Sequence, residues 1–183
     1  MITNKSELYS VLLADLQQYR KEGFRFYHRF IYSETYNMYK YVKTLRYLEY
    51  YKNNVSHKIL YRIKYYYFWY KQRKLSTKYG ITIAPNTTGS GLCLMHPGFR
   101  RIGPSTKIGT NCTILPNVLI GKKHPGETVI EIGNNCYIGT NVTILGPVKI
   151  GNNVTIGAGA VVLSDIPDNS IVGGVPAKVI KYK

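Results

Sequence analysis

The chain has 183 residues, and its 25 Lys and Arg against 9 Asp and Glu give a net charge of +16. A hydrophobic fraction of 44% is enough for a packed core and argues against wholesale disorder. No run approaches the roughly 20 apolar residues of a membrane span, and the first residues lack the apolar centre of a signal peptide. Three cysteines without paired spacing support neither a disulfide framework nor a cysteine zinc site, so a cytoplasmic protein is expected.

Residues 1–80 hold 16 of the 18 Tyr, 2 of the 17 Gly and none of the 8 Pro, with a charge of +11. Residues 81–183 hold the other 15 Gly and all 8 Pro, with a charge of +5. The contrast predicts a basic, Tyr-rich helical region over 1–79 and a second domain over 80–183. Asn4-Lys5-Ser6-Glu7 reads as a capping box, with Leu8, Val11, Leu12 and Leu16 following at helical spacing. A second helix is predicted over 33–52. A third begins near Ser56, with Ile59, Leu60, Ile63, Tyr66, Tyr67 and Tyr70 on one face. Three roles fit this region: a helical cap on the second domain, a sugar-binding platform, or attachment to an anionic membrane or nucleic acid. No nucleic-acid motif accompanies the charge, which argues against a nucleic-acid partner. His28 and His57 have no motif around them and read as structural or solvent-facing.

The second half keeps a six-residue clock. From Ile102 an aliphatic residue returns at 108, 114, 120, 132, 138, 144, 150, 156 and 162, and only Gly126 misses the beat. Small or β-branched residues precede it by two positions, as at Thr106, Cys112, Val118, Cys136, Val142, Val148, Val154 and Ala160. Six is not a multiple of 3.6, so this is no amphipathic helix. Short strands joined by tight turns satisfy the period, with Asn111, Asn135, Asn141 and Asn153 at corners that tolerate left-handed backbone.

This pattern resembles the hexapeptide-repeat acyltransferases over about residues 81–183. The ending Gly173-Gly174-Val175-Pro176-Ala177-Lys178 is similar to that family's terminal G-x-P-A-K/R segment. The resemblance implies a mainly β fold, a left-handed parallel β-helix with three hexads per coil, preceded here by an α-helical region. It also implies a homotrimer with sites between subunits, and acetyl-CoA as co-substrate.

Two histidines carry the expected chemistry. His96, extrapolated back along the clock, falls on a beat where Ile or Val is expected. Its segment Gly91-Leu92-Cys93-Leu94-Met95-His96-Pro97-Gly98 is similar to the G-I-x-L-D-H-A-T-G stretch of serine acetyltransferases, whose histidine is the general base. His124 lies where the clock misses, in a loop resembling the His-Pro loop of maltose- and galactoside-type acetyltransferases. Neutral imidazole suits proton removal from a hydroxyl near neutral pH. The D-I-H-P segment of serine acetyltransferases reads Ile81-Thr82-Ile83-Ala84-Pro85 here, so the Asp partner of the base is absent, and a backbone carbonyl or Glu127 is expected to orient it. The resemblance further assigns Gly139, Gly157, Ala158, Ser164 and Lys178 to acetyl-CoA binding. Cys112 and Cys136 read as packing residues. No metal is expected, because an open zinc site takes three protein ligands and this half supplies two histidines.

The function expected on these grounds is acetyl-CoA-dependent O-acetylation of a carbohydrate hydroxyl in a surface polysaccharide or its precursor. The alternatives are a serine O-acetyltransferase and a non-enzymatic β-helix binding protein.

Overall fold

A computed structural model describes residues 1–31, 33–56, 59–124 and 129–183. Three helices lead: α1 (Lys5–Lys21), α2 (Glu34–Asn53) and α3 (Ile59–Tyr79), with a 3-10 turn at Phe26–Arg29. Asn4 caps α1 by accepting from the Glu7 N–H at 2.9 Å, and Glu7 accepts in turn from the Thr3 N–H at 2.7 Å. The central helix is α2, nine of whose residues are buried. In α3 only Gln72 and Leu75 are buried. The face carrying Ile59, Ile63, Tyr66 and Tyr70 therefore points to solvent.

Fourteen short strands follow among the described residues. They are β1 (Ile81–Ile83), β2 (Cys93–Leu94), β3 (Arg100–Ile102), β4 (Thr106–Ile108), β5 (Thr113–Ile114), β6 (Val118–Lys122), β7 (Ile130–Ile132), β8 (Tyr137–Ile138), β9 (Thr143–Gly146), β10 (Val148–Ile150), β11 (Thr155–Ile156), β12 (Val161–Val162), β13 (Ser170–Gly173) and β14 (Lys178–Tyr182). They form three parallel faces that the chain visits in rotation. The first face is β1-β3-β6-β9-β12, the second β4-β7-β10, and the third β2-β5-β8-β11-β13, closed by antiparallel β14. Register stacks beat on beat: Ile102 on Ile120, Ile120 on Ile144, Ile144 on Val162.

The clock residues Ile108, Ile114, Ile120, Ile132, Ile138, Ile144, Ile150, Ile156 and Val162 form one axial core, all 5% exposed or less. Cys112 and Cys136 are buried among them as free thiols. Asn111, Asn135, Asn141 and Asn153 have φ between 55° and 58°, the left-handed corners the spacing predicted. Asn117 does the same at 62°.

The first coil departs from the extrapolated clock. Its inward residues are Ile83, paired with Ile102, and Leu94, paired with Ile114. The inward beat therefore falls at Leu94 and not at His96. The corner between Leu94 and Arg100 is correspondingly longer, and His96 stands outside the wall.

The helices close the open end of this first coil with side chains. The Tyr19 hydroxyl accepts from the Leu94 N–H at 2.9 Å and lies 3.2 Å from its carbonyl. The Tyr41 hydroxyl donates to the Ile81 carbonyl at 3.2 Å. Asp15 accepts from the Leu92 N–H at 2.9 Å. Arg46, 1% exposed, joins Asp15 at 2.8 Å and Glu49 at 3.1 Å, and donates to the carbonyls of Thr88 and Gly89. Burial works against the Arg46 charge, but the two carboxylates more than offset it and hold the guanidinium above its ordinary range. A strand edge that would otherwise present unpaired backbone groups is thus covered.

Candidate active site

The long corner Met95–Phe99 joins the third face to the first. His96 takes φ 57°, an uncommon conformation for a side chain of its size. A buried arginine holds the corner in that shape. Arg100, 0% exposed, donates to the carbonyls of Ile114 at 3.2 Å, Gly98 at 3.2 Å, His96 at 2.9 Å, and Met95. Burial lowers its pKa to about 10.

His96 itself is turned outward, its side chain 62% exposed. Its Nδ1 lies 3.0 Å from Oε2 of Glu34, in the first turn of α2. A carboxylate only accepts, so Nδ1–H is the donor to Glu34, and in the neutral imidazole Nε2 is then the nitrogen that accepts. Ser33 fixes that turn by accepting from the Tyr36 N–H at 3.2 Å, and the helix N-terminus favours an acidic side chain there. Beside the pair is a cleft of about 70 Å³ lined by Tyr19, Glu22, Glu34, Cys93, Leu94 and His96, among others. Among the described residues its lining carries two carboxylates and no Lys or Arg. Cys93 is buried, and burial, with the nearby Glu22 charge, pushes its thiol up to about 12.

The partner of His96 was expected to be a backbone carbonyl or Glu127. It is Glu34, some sixty residues earlier, while Glu127 lies outside the described residues. No motif surrounds Glu34; an acid one residue after a helix-capping Ser was the only local signal.

The remaining site candidates divide between two edges of the prism. Gly139, Gly157 and Ala158 lie on the same third-to-first edge as His96, following β8 and β11. A Cβ at Gly139 would come within 2.8 Å of the Ile156 carbonyl oxygen and the Ala158 nitrogen, so the stacking of adjacent coils already requires glycine there. At Gly157 the contact would be 3.2 Å to the Val172 carbonyl, and Ala158 is exposed. His124, exposed, follows β6, and Ser164, exposed, follows β12, both toward the first-to-second edge. Lys178 begins β14 and is exposed. Within one chain, then, His96 and His124 leave the wall at different edges. Among the described residues no group of three His, Cys, Asp or Glu could hold a metal ion.

A family model, the bacterial transferase hexapeptide with six repeats, matches residues 130–164. Serine acetyltransferase 4 of Arabidopsis thaliana is 37% identical over 114 residues, covering 61% of this chain and 32% of that protein. A serine acetyltransferase of Staphylococcus aureus is 37% identical over 105 residues, covering 56% of this chain and 49% of the other. The chain thus spans a third to a half of the length of these relatives. Among solved structures, the Neisseria gonorrhoeae serine acetyltransferase in complex with serine superposes with a TM-score of 0.75 at 28% identity, over 97% of this chain and 70% of that one. The Brucella abortus serine acetyltransferase in complex with coenzyme A gives 0.74 at 26% identity, over 98% and 70%. These findings overturn the expectation of a polysaccharide acceptor, because the relatives in sequence and in structure are serine acetyltransferases. A hexapeptide-repeat family model thus matches residues 130–164, and the chain is similar to serine acetyltransferases in its repeat half by sequence and over nearly its whole length by fold.

Proposed function

We propose that the protein is an acetyl-CoA-dependent serine O-acetyltransferase on a left-handed parallel β-helix. The observation that carries this reading is the His96–Glu34 pair at 3.0 Å, set at a small cleft whose rim bears the carboxylates of Glu22 and Glu34. An acidic rim suits the ammonium group of an amino acid and repels an anionic glycan. The relatives with serine and with coenzyme A bound support the same pair of substrates.

In this mechanism His96 Nε2 takes the proton of the serine hydroxyl as its oxygen attacks the thioester carbonyl carbon. The tetrahedral intermediate collapses, the C–S bond breaks, and the imidazolium returns the proton to the departing thiolate. The products are O-acetylserine and free CoA. Glu34 keeps the proton on Nδ1 and stabilises the imidazolium, standing in for the missing Asp. Arg100 acts through the backbone, fixing the corner that presents His96. Gly139, Gly157 and Ala158 line the edge along which the pantetheine arm runs, and Lys178 meets the CoA phosphates as a point charge. His124 and Ser164 leave from the other edge, so they complete the site from a neighbouring copy in a homotrimer.

The test is release of free thiol from acetyl-CoA with L-serine, simple sugars and oligosaccharides as acceptors, with O-acetylserine identified by mass. Serine-dependent release that falls at least about 100-fold in His96→Ala is expected. Release with sugars but not serine, or an undiminished His96→Ala, refutes the proposal. Failure to bind any CoA thioester by calorimetry points instead to a non-enzymatic scaffold.

A further inference from the structure

We propose that α3 is an in-plane docking helix for an anionic lipid surface. The proposal does not rest on the acyl-transfer reading. Over Ile59–Tyr79 the helix carries six Lys and Arg and no Asp or Glu. None of the six has an ion-pair partner among the described residues. At about 100° per residue, Ile59, Ile63, Tyr66 and Tyr70 fall in one stripe within about 60° of arc. All four point away from α2 and are exposed, at 71%, 59%, 59% and 55%. Arg73 and Lys74 flank the stripe, folded over Trp69 and Tyr70 with their charges 5.1 Å and 4.8 Å from the ring centroids.

Three physical arguments choose the occupant. Soluble surfaces seldom leave so many large apolar side chains on one helix, so something of low polarity covers them. A second copy of the same face would set six cations against six with no acid between them. A nucleic acid would satisfy the charge but gain nothing from bare isoleucines. An anionic bilayer satisfies both sets at once: phosphates meet Arg and Lys, the aliphatic stripe enters the acyl boundary, and Tyr and Trp sit at headgroup depth. No described helix is long and apolar enough to cross a membrane, so this helix lies on the surface.

Trp69 is the only tryptophan in the chain and sits on this helix, 42% exposed, so its fluorescence reports directly on the surface. The experiment titrates the full chain with vesicles of phosphatidylglycerol and phosphatidylcholine in equal parts, and with phosphatidylcholine alone. The expected result is a blue shift and co-sedimentation with the anionic vesicles only, weakened by salt. Arg73→Glu with Lys74→Glu lowers the partition coefficient about tenfold or more. Ile59→Ser with Ile63→Ser does the same at low salt. All four positions are exposed, and circular dichroism confirms the fold of each variant. Three results overturn the proposal. They are no binding to anionic vesicles at low salt, insensitivity to the serine variant with equal retention of an oligonucleotide, and loss of Trp69 exposure through self-association without vesicles.

Discussion

Replacing Arg46 with Met tests how the helical region is fastened to the β-helix. Arg46 is 1% exposed and lies between Asp15 and Glu49, themselves 0% and 1% exposed. The substitution keeps most of the volume but leaves two buried carboxylates without their cation, and leaves the Thr88 and Gly89 carbonyls without their donor. Breaking a buried pair in this way costs about 3–5 kcal/mol. For a domain of this length that is a fall in Tm of about 6–20 °C. The charge argument adds two signatures. Acidification protonates the orphaned carboxylates, so the deficit of the variant shrinks as pH falls. Replacing all three together, with Asp15→Asn, Arg46→Met and Glu49→Gln, recovers part of the loss because no charge of this cluster remains buried while the Leu92 and Asn86 N–H groups keep an acceptor. Thermal unfolding followed by circular dichroism at several pH values is the assay. A Tm within about 2 °C of the parent, or a triple variant worse than the single one, would refute the reasoning.

Other positions give independent checks. Glu34→Gln removes an exposed pair, so stability changes by less than about 1 kcal/mol, while on the proposed mechanism kcat for acyl transfer falls about tenfold or more as His96 loses its orienting partner; unchanged kcat would exclude Glu34 from that mechanism. Ile120→Ala, at 0% exposure on the axial core, costs about 2–5 kcal/mol in chemical denaturation. Burial raises the Cys93 thiol from 9.0 to about 12, so the native protein resists alkylation at pH 8 and labels Cys93 only on unfolding, read by mass spectrometry. Because the unfolded thiol ionises first, Cys93 also makes the fold lose stability as pH rises from 9.0 toward about 12.

The six-residue period, by itself, determined the core of the second half. Each beat is a local statement, since one apolar residue per strand and one turn per corner need no distant partner to be legible. The inward residues from Ile102 to Val162, and four of the left-handed Asn corners, follow directly from it. The helical content of the first region was likewise legible, from a capping motif and 3.6-residue spacing. What the spacing could not reveal was how the two regions join. Tyr19, Tyr41, Asp15 and Arg46 look like ordinary residues of a basic helix, and only the tertiary structure brings them onto the open backbone of the first coil. The same holds for the site. Extrapolating the clock put His96 inward, whereas pairing of Leu94 with Ile114 moves the beat and leaves His96 on a longer corner pinned by Arg100. Its carboxylate partner comes from a different helix, at a separation no local pattern encodes. Repeat and period are local physics and are written in the sequence; the capping contacts and the His96–Glu34 pair depend on the packing of one region against the other, which only the folded chain decides.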